Sequence, residues 1–256
     1  MSDDVSVLKH IDEMVERWSD IIVPIYTEKE HSKNVAQLLG SAFLVNYKGA
    51  VFLVTALHVI RDHQNSLLVI SIGGKAVPLN KMPFAISEKD DLAIAYLDHD
   101  WAKKNDVNKV YFLPIDDHKS GYNTLGAYFL IGFPGKKNEL NPRVDKVTKN
   151  IQGTSFSTYV ETPKSNSHID NPIAFEFDKG KVILTSGNKI NPPSFSGNSG
   201  GPIMELIGKS GKSGRAGDII AGCKLAGVFV GWYKKEKEAI AIRPEVITWL
   251  INDNFT

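Results

Sequence analysis

The sequence predicts an all-β protein built as two packed β-barrels, with an amphipathic helix ahead of the first and a short helix after the second. Three observations carry this. Strand-length apolar runs rich in Val, Ile, Leu and Phe recur from Ala36 to about Leu113, and a second series extends from Ala127 to Ile242. Clusters of Gly, Asn, Asp and Lys separate the runs, and apolar residues at helical three- and four-residue steps appear near the two ends.

The first element is residues 1–25. Val5, Leu8, Ile11, Met14, Val15, Trp18, Ile21 and Ile22 line one helical face, with Asp3 or Asp4 available as an N-cap. Such a face must dock, either on the body of the chain or, as a regulatory arm, on a partner. Residues 26–115 form the expected first barrel, with strands at Leu38–Val45, Val51–Thr55, Leu67–Ile72 and Leu92–Leu97. A polar stretch from Asp116 to Asn123 reads as the crossing to the second barrel, residues 116–256. Its strands are expected at Ala127–Phe133, Ala174–Phe177, Val182–Leu184, Pro202–Leu206, Ile219–Val230 and Ala239–Ile242. Pro244 suits the first turn of a closing helix whose apolar face is Val246, Ile247, Leu250 and Ile251.

Composition narrows the function classes. With 256 residues, 42% of them hydrophobic, the chain can bury a substantial core. Thirty basic against twenty-nine acidic side chains leave a formal charge of +1, which gives no field for collecting nucleic acid or anionic membrane. The single cysteine, Cys223, cannot form an internal disulfide, and the start Met-Ser-Asp-Asp does not read as a secretory signal. The apolar runs are too short to span a bilayer. The expected location is therefore cytoplasmic. Gly208-Lys-Ser-Gly-Lys-Ser-Gly214 repeats Gly-Lys-Ser, but the glycine a phosphate loop needs five positions earlier is replaced by Leu206 and Ile203, so it reads as a hairpin tip.

The chemistry-bearing signal is Phe195-Ser196-Gly197-Asn198-Ser199-Gly200-Gly201-Pro202, a serine in a glycine-rich turn before an apolar strand. The glycines allow a tight turn and let the amides of Gly197 and Ser199 converge on one point, as an oxyanion hole requires. A serine hydroxyl is a weak nucleophile at neutral pH and needs a histidine base, itself oriented by an acid. The same residues also fit Gly-x-Ser-x-Gly, the elbow of α/β-hydrolases. In that fold the acid and the histidine follow the serine, whereas the last histidine here is His168. An acid-first order finds its acids only around the N-terminal helix. Histidine, acid, serine remains, with His58 closing the apolar strand Val54-Thr55-Ala56-Leu57 and Asp91 opening the strand Leu92-Ala93-Ile94-Ala95. Asp90 is expected to face solvent, since adjacent strand residues point to opposite faces.

Thr-Ala-Leu-His at 55–58, Asp-Leu-Ala-Ile at 91–94 and Gly-Asn-Ser-Gly-Gly-Pro at 197–202 resemble the three signature blocks of the trypsin-like serine peptidases, most closely the bacterial or cytosolic branch with asparagine before the nucleophile. The resemblance implies two six-stranded antiparallel barrels of the chymotrypsin kind. It implies His58, Asp91 and Ser199 as a catalytic triad, backbone N–H groups of Gly197 and Ser199 as the oxyanion hole, an acyl-enzyme intermediate, and no metal or organic cofactor. Pro193, Ser194, Val230, Gly231 and Ala241 become expected walls of the substrate pocket, with no acid to recognise Lys or Arg, so a small or apolar P1 side chain is expected. The implied partner is a protein or peptide substrate, with room for a regulatory partner protein. Asn198 in place of an aspartate excludes the ion pair that a newly cut N-terminus makes in secreted relatives. No peptide-binding module is recognised after the second barrel. Three activities stay open: a regulated endopeptidase, another acyl transferase on the same triad, and a catalytically silent fold used as a peptide-binding or scaffold module.

The remaining histidines, His10, His31, His63, His99, His118 and His168, lack metal-ligand spacing and are expected in surface or loop roles. Trp101, Trp232 and Trp249 are expected in packing, Cys223 as a buried thiol, and Lys234–Glu238 as a solvated hairpin tip.

Overall fold

The computed structural model describes residues 11–28, 36–61, 63, 66–73, 75–79, 82–107, 113–115, 123–135, 151–156, 158–160, 163–177, 195–209 and 219–255. Pro193, Ser194, the strand expected at Val182–Leu184, the crossing at 116–122, the expected N-caps and most of the Gly208–Gly214 loop lie outside them.

Helix α1 occupies residues 11–18 and buries Ile11 and Trp18. The helix was expected to reach Ile22, but the chain turns after Trp18, where the Ile21 amide donates to the Trp18 carbonyl. Ile21-Ile22-Val23 is a β-branched run followed by Pro24, which cannot continue a helix. It begins strand β1 (Ile22–Glu28), whose first six residues are all buried. A strand buried on both faces shows no alternation, so its apolar side chains can pass for helical spacing.

Strands β2 (Ala36–Tyr47), β3 (Ala50–Ala56), β4 (Val69–Ile72), β5 (Lys75–Pro78), β6 (Phe84–Ser87) and β7 (Leu92–Leu97) complete the first sheet, in the order β5-β4-β1-β2-β3-β7-β6. Helix α2 (Leu57–Arg61) follows β3, and α3 (His99–Lys104) follows β7, its N-cap Asp98 accepting from the Trp101 amide. The two-residue β8 (Leu113–Pro114) pairs in parallel with β2.

The second sheet contains β9 (Asn123–Gly132), β10 (Gln152–Phe156), β11 (Thr158–Val160), β12 (Ile173–Glu176), β13 (Pro202–Lys209), β14 (Ile219–Tyr233) and β15 (Glu238–Ile242). Their order is β10-β9-β13-β14-β15-β12-β11, and every pairing is antiparallel. The described sheets thus have eight and seven strands where six each were expected. The short β5, β8 and β11 lack the long apolar runs that mark a strand in sequence. Helix α4 (Pro244–Phe255) begins at the expected proline and buries Ile247, Leu250 and Ile251.

One core joins the elements. Ile11 of α1, Phe43, Leu53 and Ile94 of the first sheet, Phe129, Met204 and Val228 of the second, and Ile247 of α4 belong to a single buried cluster. A smaller cluster inside the second sheet is aromatic, with Phe175, Phe177, Phe195 and Phe229 around Ala239 and Ala241. Trp249, expected in packing, is instead half exposed, with the Lys89 ammonium 5.2 Å from its ring centre. Among the described residues, no helix is long and apolar enough to cross a membrane.

Candidate active site

His58 and Asp91 are brought together by neighbouring strands. Ala56 at the end of β3 pairs with Leu92 at the start of β7, so the residue before Leu92 lies beside the first turn of α2. Asp91 adopts a left-handed backbone conformation (φ 52°), uncommon for a non-glycine residue. In that conformation it meets α2 twice: its carbonyl accepts the Leu57 amide at 2.8 Å and its Oδ1 accepts the His58 amide at 2.9 Å. These bonds satisfy helix amides that have no partner within the helix. They also fix the His58 ring, whose Nδ1 lies 2.6 Å from Asp91 Oδ2. With Nδ1 as the donor to the carboxylate, Nε2 is the nitrogen left to take a proton.

Asp91 has no solvent exposure, while the His58 side chain is 40% exposed. Burial pushes the Asp91 carboxyl upward, yet the hydrogen bonds and charge of His58, with a smaller contribution from His168, hold it below the ordinary carboxylate value. Tyr233, at the end of β14, is pushed above the usual phenol value by burial, then by the charges of Asp91 and Glu236.

The serine turn is built differently. Gly197 (φ 87°) and Gly200 (φ 84°) both take left-handed conformations in tight quarters. A side chain at Gly197 would collide with the Phe133 carbonyl, and one at Gly200 with the Ser41 carbonyl and the Thr55 hydroxyl. Ser41 of β2 is the peg on which the turn hangs. Its amide donates to the Ser199 carbonyl at 2.8 Å, its hydroxyl donates to the Gly197 carbonyl at 2.7 Å, and that hydroxyl accepts the Phe133 amide at 3.0 Å. The Thr55 hydroxyl donates to the Ser41 carbonyl at 2.8 Å. From the other side, the Gly200 amide donates to the Phe229 carbonyl and the Phe229 amide to the Gly201 carbonyl. With these carbonyls engaged, the amides of Gly197 and Ser199 make no hydrogen bond among the described residues.

Ser199 is partly exposed, and its hydroxyl donates to the Val230 carbonyl at 2.9 Å. His58 and Asp91 are hydrogen-bonded to each other; the Ser199 hydroxyl is bonded to neither. Of the expected pocket walls, Gly231 is partly exposed with open space in front of its Cα, and Val230 presents its carbonyl to Ser199. Ala241 forms no open wall. It is fully buried in the aromatic cluster, where the Phe177, Phe195 and Trp232 rings lie 4.5 to 5.9 Å apart, centre to centre.

Three further expectations are corrected here. Asp90 is buried, not solvent-facing, because residues 88–91 form a turn to which strand alternation does not apply; its carboxylate accepts the Ser87 hydroxyl at 2.6 Å. Glu238 is not part of a solvated tip: it is 2% exposed, and its carboxylate accepts the amides of Lys164 and Ser165 and the Ser165 hydroxyl. Those bonds, against the upward push of burial, hold it below the ordinary glutamate value. Cys223 is half-buried and accepts the Trp18 indole N–H at 3.3 Å.

The residues missed in sequence are Ser41 and His168. Ser41 left a faint signal as a polar residue inside the apolar run Leu38–Val45. His168 sits outside any strand, and the structure sets its Nε2 3.5 Å from Asp91 Oδ2.

No family model matches the sequence and no curated protein matches it. Solved structures do match. The HtrA-type protease AlgW with a decapeptide superposes with a TM-score of 0.55 at 16% identity, over 94% of this chain and 67% of that one. The same protease with a tripeptide gives 0.52 at 16% identity, over 95% and 62%. The serine endoprotease from Yersinia pestis gives 0.51 at 18% identity, over 95% and 67%. The chain therefore spans about 62% to 67% of the length of these enzymes. At such identities the likeness is one of fold, and the fold this chain shares with them is an all-β one of the chymotrypsin-like kind.

Proposed function

We propose that the chain is a serine endopeptidase in which Ser199 is the nucleophile, His58 the general base and Asp91 the acid that orients it. The observation that carries this reading is the bond from His58 Nδ1 to the buried Asp91, which leaves Nε2 as the proton acceptor in a protein whose serine turn has the Gly197 and Ser199 amides unbonded among the described residues. In the resting geometry the Ser199 hydroxyl is turned to the Val230 carbonyl. Reaction requires a change of its χ1 rotamer toward His58 Nε2, a change between staggered wells that substrate binding can favour.

In the reacting arrangement Ser199 Oγ attacks the peptide carbonyl and passes its proton to His58 Nε2. Asp91 stabilises the imidazolium through Nδ1–H, and the amides of Gly197 and Ser199 receive the developing oxyanion. His58 then gives its proton to the leaving amine, and water, deprotonated by His58, clears the acyl group from Ser199. None of these steps calls on a metal or organic cofactor. Residues 26–115 supply the base and acid, and residues 116–256 the nucleophile. With no acid among the expected pocket walls Val230, Gly231 and Ala241, a small or apolar P1 side chain fits the reading best. The single cysteine supports a reducing, cytoplasmic setting in which such a protease acts under regulation.

The alternative, a silent fold that binds peptides, is favoured by one observation, the Ser199 hydroxyl bonded to Val230. A fluorophosphonate probe at neutral pH, with Ser199→Ala as control and the adduct located by mass spectrometry, separates the two. Labelling confined to Ser199 supports the peptidase; folded protein that stays unlabelled with peptide present supports the binding module.

A further inference from the structure

His168 lies on the segment 163–172, which no strand includes and whose residues are mostly polar, with Ile169 the exception between its two prolines. The segment is nevertheless tied down along its length. At its start, the Lys164 and Ser165 amides and the Ser165 hydroxyl all bind the buried Glu238 carboxylate. In its middle, Ile169 is 5% exposed and its amide donates to the Ser167 hydroxyl. Towards its end, the Asp170 amide donates to the Lys89 carbonyl at 2.9 Å, and Arg243 Nε donates to the Asn171 carbonyl at 3.0 Å. Lys89 lies two residues before Asp91, so one of these ties joins the segment directly to the turn that carries the acid.

Anchors on both sides of His168 limit where its ring can go, and the ring is placed against Asp91. His168 Nε2 is 3.5 Å from Asp91 Oδ2, the same oxygen that faces His58 Nδ1 at 2.6 Å. At these distances His58 makes the hydrogen bond to that oxygen, and His168 acts on it through its charge and dipole. A buried carboxylate with no compensating partner is costly, and among the described residues both ion-pair partners of Asp91 are imidazoles.

We propose that His168 is a positioning residue for Asp91, fixing the carboxylate oxygen that orients His58. It touches neither Ser199 nor a substrate in this role, and it acts only through Asp91. Lys89, Lys164, Asp170, Tyr233, Glu236, Glu238 and Arg243 also lie on the segments around it, and none forms an ion pair with Asp91 among the described residues. The proposal rests on the peptidase reading for its kinetic consequence but not for its structural one.

The test compares His168→Ala and His168→Gln in the full chain. The side chain is 58% exposed, so neither change empties a core site, and thermal melts check that both variants fold. With a peptide ester substrate, His168→Ala is expected to lower kcat about two- to fivefold, the size of one partly exposed charge contact, with KM unchanged. Gln, which keeps a planar N–H donor, is expected to restore most of that loss. The low-field proton resonance of His58 Nδ1–H is expected to move in the Ala variant and to return toward its wild-type position in the Gln variant. Unchanged kcat and an unmoved resonance overturn the role; so does a raised KM that Gln does not restore, since this assigns His168 to the substrate. Labelling of wild-type Ser199 tests the peptidase reading separately. No labelling together with a resonance moved by His168→Ala sinks that reading and keeps the contact with Asp91.

Discussion

The two halves of the site are held by different means. The proposed base and acid, His58 and Asp91, are fixed within the first sheet, by side chains and by the start of a helix next to them: β3 runs into α2, the turn before β7 reaches across, and Asp91 binds His58 at both its amide and its ring. The turn that carries Ser199 belongs to the second sheet, yet two of its carbonyls, those of Gly197 and Ser199, accept bonds from Ser41 in the first. One half is held within one sheet, mostly by side chains; the other crosses the sheets and is held mostly by backbone groups. The first should lose chemistry when a side chain changes, and the second should lose stability when a glycine or a peg changes.

The sharpest break in the first half is Asp91→Asn. The shape is kept, but an amide facing His58 Nδ1 no longer selects the tautomer that leaves Nε2 free. A loss of about 10,000-fold in kcat is expected, with substrate affinity little altered. Ester hydrolysis and a circular dichroism melt, taken together, check it. A comparable loss of melting temperature would move Asp91 from chemistry to structure and erase the contrast between the halves.

Gly200→Ala breaks the second half. A methyl group there meets the Ser41 carbonyl and the Thr55 hydroxyl in a left-handed backbone, and a destabilisation of about 2 to 4 kcal/mol is expected from urea midpoints. Gly126 is the control. It too is left-handed (φ 66°) but has nothing within 4 Å of a Cβ, so Gly126→Ala is expected to cost only the backbone term, about 1 kcal/mol. Equal costs at the two positions would show that conformation alone, without the cross-sheet crowding, explains the glycines.

This division also explains what could be read without a structure. His58, Asp91 and the Gly197–Pro202 turn are each contiguous with an apolar strand, so local pattern announced them. Ser41 bonds to residues 92 and 156 positions away, and nothing in its own neighbourhood states that partner. The same reasoning covers β1, whose burial on both faces comes from packing and not from its pattern. Glu238 was misread because a charge run at a hairpin is ordinarily solvated, and the amides that bury it come from a segment 73 and 74 residues earlier.

Ser41→Ala tests the crossing more gently. It removes the bond to the Gly197 carbonyl and leaves the buried Phe133 amide without its acceptor, at a cost of about 1 to 3 kcal/mol. Because the Gly197 carbonyl is then free to reorient, fluorophosphonate labelling of Ser199 should slow while the His58–Asp91 bond persists. Slowed labelling with an intact low-field His58 resonance confirms that the halves are separately supported; loss of both would join them.

The smallest effect concerns acid. Glu238 and Asp91 are both held below the ordinary carboxylate range, so each contributes stability that is present above its ordinary value and lost as the pH falls through its lowered one. Replacing Glu238 by Gln removes the charge that collects the Lys164 and Ser165 amides and keeps the size. The stability gap between wild type and Glu238→Gln should therefore be constant from neutral pH down to about 5, then shrink as Glu238 takes up its proton. Chemical denaturation at pH 7 and again near pH 3.5 measures the gap. A gap that does not narrow would mean that shape, and not charge, holds residues 163–172 in place, and the tether would then belong with the backbone-built half of the site.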